Sequence, residues 1–286
     1  MENILEVKNL NKIYQDFKLE NINLTIPYGC IMGIIGENGA GKTTIIKSIL
    51  NVINIDFGDV KIFGMDVKKN EKLIKKDIGT VLDDSFLSEY LTPKDVGIIM
   101  SKFYDTWNNS IYSDYLKKFN LPEDKFIKTF SSGMKMKIKI ITALSHNPKL
   151  LILDEPTSGL DPVARNEILD ILMEFIQDDK RSVLLSTHIT SDLEHIADYI
   201  TFVNKGNIVF TKTREETLDN FGILKCSEQD FKNIDKNDMI RFKKNKYDYE
   251  ILVENKNKCR TKYPNNIIDK PTIEDIMLLY IRGEKV

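Results

Sequence analysis

Hydrophobic positions along this chain fall into three patterns. From Ile4 to Ile26 they come in short stretches, among them Ile13-Tyr14 and Ile22 to Ile26, broken by Asn and charged residues, which predicts paired strands. Cys30-Ile31-Met32-Gly33-Ile34-Ile35, Lys149 to Leu153 and Val183 to Ser186 are more continuous apolar runs, the signature of strands buried on both faces of a parallel sheet. Pro27-Tyr28-Gly29 turns the chain into the first of these. Helical spacing runs from Thr43 to Leu50 after that strand and from Pro162 to Ile176 between the other two, so strands alternate with helices as in a parallel α/β core. The stretch from Asp83 to about Asn147 is polar and mixed, with amphipathic helices predicted at Val96 to Phe103 and Ile111 to Phe119. It reads as an inserted helical subdomain over residues 84–147.

The core is expected to end near Thr211. Residues 212–286 are richer in Asn, Lys and Asp, carry none of the core's motifs, and read as a small C-terminal α+β accessory domain. Tyr249 to Val253 predicts a strand there. Thr272-Ile273-Glu274-Asp275 is a capping-box match opening a helix with Ile273, Ile276, Met277 and Tyr280 on one face, which calls for an apolar surface to cover. Fifteen basic and fourteen acidic residues from 213 onward exclude a polycationic tail.

Composition narrows the function by exclusion. Across 286 residues, 42% hydrophobic, Lys and Arg total 41 against 43 for Asp and Glu, so the formal charge of -2 gives no global reason to expect nucleic acid as a ligand. The longest apolar runs fall far short of the roughly 18 to 20 residues that cross a bilayer. The start, Met-Glu-Asn-Ile-Leu-Glu, lacks the basic and apolar regions of a secretory signal, and Cys30, Cys226 and Cys259 show no metal-ligand spacing. These features predict a chain with reduced thiols that works inside the cell.

The chemistry begins at Gly36-Glu37-Asn38-Gly39-Ala40-Gly41-Lys42-Thr43, a match to G-x-x-x-x-G-K-[ST] between a buried strand and a helix. Backbone N–H groups of such a loop cradle phosphates while the helix aims its positive end at them. Lys42 is placed to reach the β and γ phosphates and Thr43 to put its hydroxyl on Mg²⁺, with Thr44 available for the α-phosphate. Leu150-Leu151-Ile152-Leu153-Asp154-Glu155 then delivers two carboxylates to a strand's C-terminal end, where ligands sit in open α/β sheets. Asp154 is expected to hold Mg²⁺ through its water shell and Glu155 to polarise the attacking water as general base.

With these elements in this order, the chain resembles the nucleotide-binding subunits of ABC transporters over roughly residues 2 to 211. The resemblance implies a P-loop NTPase (RecA-like) core with an antiparallel β subdomain and an inserted helical subdomain. Phe130-Ser131-Ser132-Gly133-Met134 lies where the family carries LSGGQ, with Ser132 in place of a glycine and Met134 in place of glutamine. By resemblance, Ser131 and Gly133 meet the γ-phosphate of ATP bound to the opposite subunit; read alone, Ser131 is a helix N-cap. Ser158-Gly159-Leu160-Asp161 resembles the D-loop at the dimer interface, and its plain alternative is a Gly turn closed by Pro162. His188 matches the switch histidine that contacts the γ-phosphate and holds the general base. Tyr14 stands where the family stacks an aromatic ring on adenine, with core packing as its competing role. Asp83, to within one residue, replaces the glutamine that links Mg²⁺ to the transmembrane partner, and is expected to contact Mg²⁺ through a water.

The resemblance therefore implies an ATPase using ATP and Mg²⁺, a homodimer or heterodimer of ATP-binding subunits, and a separate permease that holds it on the cytoplasmic face of the membrane. Asp83, the signature and the ending Thr272 to Met277 look most like ABC-2-type exporters of Gram-positive bacteria, associated with peptide, bacitracin or drug export. The alternatives are a soluble ABC ATPase acting on ribosomes or DNA, and a regulatory or immunity protein that binds ATP and hydrolyses it weakly. One cassette without coiled-coil heptads counts against the first, while the altered signature keeps the second open. Asn245-Lys246-Tyr247-Asp248 spells the N-K-x-D of GTPases, but in an Asn- and Lys-rich stretch beyond the core it reads as a chance match.

Overall fold

Residues 3–82 and 87–285 are described by the computed structural model, so Asp83 lies outside the described residues. Six strands form the central sheet in the order Asn207–Thr213, Tyr199–Asn204, Ile31–Ile35, Ser182–Thr187, Leu150–Asp154, Ile78–Val81. All neighbours are parallel except the antiparallel pair of the first two. Ile31, Ile35, Leu151, Leu153, Val183 and Leu185 enter the core on one face, and Met32, Ile34, Leu150, Ile152 and Leu184 enter it on the other. A strand covered on both faces has no polar side, which is why these runs show little alternation.

Helix Lys42–Ile49 and a four-stranded antiparallel sheet cover the second face. Two of its strands, Asn3–Ile13 and Lys18–Pro27, are the pair expected from the N-terminal pattern. Phe57–Ile62 and Met65–Asp66 extend it. These escape a reading by periodicity because Phe57 is exposed and only Val60 and Ile62 of the longer strand are buried. The first face carries helices Pro93–Phe103, Asn109–Lys118, Ser132–Leu144, Pro162–Phe175 and Thr190–Ile196. Two of them begin earlier than their apolar spacing indicates, because caps start them. Thr92 forms a capping box with Asp95 ahead of Pro93, and the Asn108 side chain accepts from the N–H groups of Ser110 and Ile111.

The central sheet continues past the composition shift at Thr211, since Thr213 still pairs with Tyr199. Beyond it a further antiparallel sheet runs in the order Arg241–Lys244, Tyr249–Val253, Gly222–Cys226, Ile267–Asp269. Asn245 to Asp248 is the turn of its first hairpin, closed by the Asn245 N–H donating to the Asp248 carbonyl, so the N-K-x-D match belongs to a turn. The capping box at Thr272 opens helix Ile273–Arg282. The face read as one contact is two. Ile273 and Met277 join the core of the central sheet, whereas Ile276 and Leu279 pack on Phe221, Ile223 and Leu252 of the C-terminal sheet. The helix is a wedge between both sheets.

No helix among the described residues is long and apolar enough to cross a membrane. All three cysteines are free and buried, and burial pushes the Cys30 thiol up to about 12.

Candidate functional site

Three adjacent strands end at the same level. Ile31–Ile35 leads into the glycine-rich loop, its neighbour Ser182–Thr187 leads into His188, and the next strand, Leu150–Asp154, ends on the carboxylate pair. The pairings Ile35 with Thr187 and Asp154 with Ser186 hold them level. Asn38, Lys42, Thr43, Thr44, Glu155 and His188 line one open cavity of about 640 Å³, together with Glu37, Gly39 and Gly41. Phe17 and Ser158 complete the lining; Ser158 opens the stretch that resembles the D-loop, whereas Phe17 was not a candidate.

Two glycines are demanded by the loop's path. A Cβ on Gly36 would lie 2.3 Å from the Val203 carbonyl oxygen, and Gly41 has φ of 113° with the Phe17 ring 2.8 Å from where its Cβ would sit. Only glycine meets both conditions without strain. Glu37, Asn38 and Gly39 form the exposed tip, while Ala40 is buried and anchors the loop. The Lys42 ammonium is buried beneath it, donating to the carbonyls of Gly36 at 2.7 Å and Glu37 at 3.2 Å and lying 3.1 Å from Glu155 Oε1.

Asp154 is 1% exposed. Its Oδ1 accepts from the Ser186 hydroxyl, and its Oδ2 is buried with no hydrogen-bond partner among the described residues. A buried carboxylate oxygen left unpaired is destabilising unless a donor or a cation's water shell reaches it. Glu155 sits at φ of 50°, the left-handed region that side chains avoid. Its N–H donates to the Ser186 carbonyl at 3.1 Å and hydroxyl at 3.0 Å, which holds this backbone in place. Strain of this kind costs about 1–3 kcal/mol and here aims the carboxylate back over the loop. Its Oε1 faces Lys42, and its Oε2 lies 2.7 Å from His188 Nδ1 and accepts from the His188 N–H at 3.3 Å. One carboxylate thus bridges the phosphate-loop lysine and His188.

Beneath the site lies a network without a sequence motif. Asp192, fully buried, accepts from the Arg165 guanidinium and the Thr157 hydroxyl, with the Thr187 hydroxyl at 3.5 Å. It ties the segments flanking Glu155 and His188 to helix Pro162–Phe175. A buried acid matched to an arginine on another helix is invisible to a linear scan.

Ser131 to Met134 and Asp161 are not brought to this cavity. Ser131 caps helix Ser132–Leu144, its hydroxyl accepting from the Met134 N–H, and Ser132 is exposed in the first turn. A Cβ on Gly133 would lie 2.9 Å from that of Ala164, so the signature helix packs tightly on the helix after Asp161. Met134 lies against the core edge. Asp161 caps Pro162–Phe175 by accepting from the N–H groups of Val163 and Ala164, and the Ala164 N–H leads in holding its carboxyl below the usual range. These residues form a second group, joined by the close approach of Gly133 to Ala164, that does not line the phosphate-loop cavity.

Tyr14 is 44% exposed, which excludes the core role. It lines a shallow cavity with Gln15, Phe17, Gly39 and Lys205, next to the phosphate-loop cavity with which it shares Phe17 and Gly39. Lys12 Nζ sits 5.2 Å from the ring centroid. Stacking energies of about 0.5–1.5 kcal/mol predict that Tyr14→Ala raises the KM for ATP about three- to tenfold with little change in kcat. Steady-state kinetics check this; an unchanged KM removes the stacking role.

A glycine-rich loop opening a helix, set beside a carboxylate pair on a parallel strand, defines a P-loop NTPase. A model of the ABC transporter family matches residues 19–158. The bacitracin transport ATP-binding protein BcrA of Bacillus licheniformis is 32% identical over 212 residues, covering 73% of this chain and 69% of that protein. The lantibiotic transport ATP-binding protein SrtF of Streptococcus pyogenes is 34% identical, covering 73% and 90%. A solved structure of an ATP-binding subunit of an ABC transporter superposes with a TM-score of 0.68 at 29% identity, covering 75% of this chain and 91% of that one. The chain belongs to the ATP-binding subunits of ABC transporters, and it is an ATPase.

Proposed function

We propose that two cassettes close around two MgATP and thereby drive a separate permease that exports a peptide or drug, this chain lying on the cytoplasmic face of the membrane. The observation that carries this reading is the division of the site. Lys42, Thr43, Thr44, Asp154, Glu155 and His188 converge on one side, while Ser131 to Met134 and Asp161 stand apart on another. Each group lacks what the other holds, so a complete site needs a second copy or a related cassette. Similarity to the bacitracin and lantibiotic transport proteins supports the class of cargo.

Within the closed pair, Lys42 leaves the Gly36 and Glu37 carbonyls for the β and γ phosphates, and the loop amides take the phosphate oxygens. The residues fit Mg²⁺: Thr43 offers a hydroxyl, and the unpartnered Asp154 Oδ2 offers an acceptor for a metal-bound water. Bound there, Mg²⁺ would neutralise charge developing on the β and γ oxygens. Glu155 accepts the proton of the attacking water and His188 steadies the same carboxylate. Ser131 already accepts a hydrogen bond as a cap, which leaves its hydroxyl proton free to donate to the γ-phosphate across the interface.

Val52, Val67, Ile74, Leu82 and Tyr104 line a groove of about 210 Å³. Phe103, next to Tyr104 in the chain, is 76% exposed. We read the groove as the seat of a short cytosolic helix of the permease. The test is isolation from membranes of the host: the chain is expected with a partner of several apolar helices, and Phe103→Glu is expected to release it while ATP binding stays unchanged. A chain that leaves membranes in the soluble fraction with no such partner overturns the transporter reading.

A further inference from the structure

Helix Ile273–Arg282 lies some eighty-five residues beyond His188 in the chain, yet it reaches the nucleotide site. Three observations tie it there. Met277 lines a shallow cavity with Gly36, Glu37, Asn38 and His188, distinct from the one that Glu155 lines with the same histidine. Ile273 and Met277 share the core with Leu193 and Ile196 of helix Thr190–Ile196, which follows His188 directly. The Ile273 N–H donates to Glu194 Oε1 at 2.9 Å, so a carboxylate of that same helix pins the C-terminal helix at its positive end. Tyr280 continues the contact over Phe202 and Phe210. The other face of the helix, through Ile276 and Leu279, belongs to the C-terminal sheet.

His188 is 41% exposed and is held within the chain by its contacts to Glu155 alone among the hydrogen bonds described for it. Its position therefore depends on the placement of helix Thr190–Ile196, which follows it directly and on which Ile273 and Met277 pack. We infer that Met277 is a positioning residue for hydrolysis: helix Ile273–Arg282 packs on helix Thr190–Ile196 and holds His188 in register with Glu155, so that the C-terminal unit sets the rate of turnover. The inference rests on His188 acting at the γ-phosphate, as proposed above. It gives the C-terminal residues a role in the chemistry that no motif of the core provides.

Misplacement of a reacting group by as little as 1 Å can lower a rate about a hundredfold, and a methionine truncated in the cavity it shares with His188 permits a part of that shift. Met277→Ala is expected to lower kcat about tenfold while the KM for ATP changes less than twofold, and Met277→Leu, close in volume, is expected to restore most of the rate. A general loss of packing would reduce activity by the same factor whatever occupies position 188. In the His188→Ala background Met277→Ala should therefore have no further effect. The imidazole signals of the three histidines give a readout independent of turnover. Met277→Ala should shift His188 and leave His146, buried against Ile78, in place. Equal losses from Met277→Ala in both backgrounds, or an unmoved His188 signal, overturn the inference while leaving the site reading intact. Full turnover in His188→Ala alone overturns the role given to His188, and the inference with it.

Discussion

With glutamine at position 155, MgATP hydrolysis falls by about 10²–10⁴-fold, the span attributed to a positioned general base. Glutamine keeps the volume of the side chain, and its amide oxygen still accepts from Lys42, 3.1 Å away in the native site. What it loses is the ability to take a proton from water. The charge between Lys42 and His188 disappears as well, which frees the lysine for the phosphates and leaves ATP binding intact or tighter. The Glu155→Gln chain is therefore expected to accumulate as a MgATP-bound dimer, either with itself or with its partner cassette. Phosphate release and size-exclusion chromatography in MgATP check the two halves separately. Undiminished hydrolysis would remove Glu155 as the base, and a variant that binds MgATP yet assembles with no second cassette would count against the sandwich.

Arg165→Met is expected to lower stability by about 3–5 kcal/mol, the range for stranding one member of a buried ion pair. Asp192 is fully buried, and without the guanidinium its remaining contacts are the hydroxyls of Thr157 and Thr187. Neutral donors compensate a buried carboxylate less than a guanidinium does. At roughly 2–4 °C per kcal/mol for a domain of this size, the melting temperature should drop by about 10 °C. Adding Asp192→Asn removes the stranded charge and should recover most of that loss, because the amide still accepts from the same hydroxyls. Thermal unfolding of the two variants decides it. A drop under 2 °C for Arg165→Met would mean that the pair contributes nothing net. The network also fixes Thr187, next to His188, so the single variant should turn over more slowly even where it is folded.

The phosphate loop, the carboxylate pair and the buried strands were legible because each is local. A run of apolar residues ending in a glycine-rich turn or in Asp154-Glu155 encodes its own geometry. Helix starts capped by Thr92 and Asn108 could have been read from cap chemistry, and the apolar spacing alone placed the helices three and two residues late. Contacts between distant segments left no such trace. Phe17 against Gly41, Ser186 beneath Asp154 and Arg165 across to Asp192 are set by which strands and helices become neighbours. Helix Ile273–Arg282 is the clearest instance. Its amphipathic pattern announced that something must be covered, and only the packing shows that one of its two partners is the central core with Leu193 and Ile196 of the helix after His188.

The left-handed backbone at Glu155 also bears on how such a cassette can decay. A substitution at position 155 would remove the proton acceptor while leaving the phosphate loop and its lysine in place. The φ of 50° there is tolerated best by glycine, asparagine and aspartate and worst by β-branched residues. Drift at this site is thus channelled toward small polar replacements by the shape of the chain, before any selection on catalysis acts.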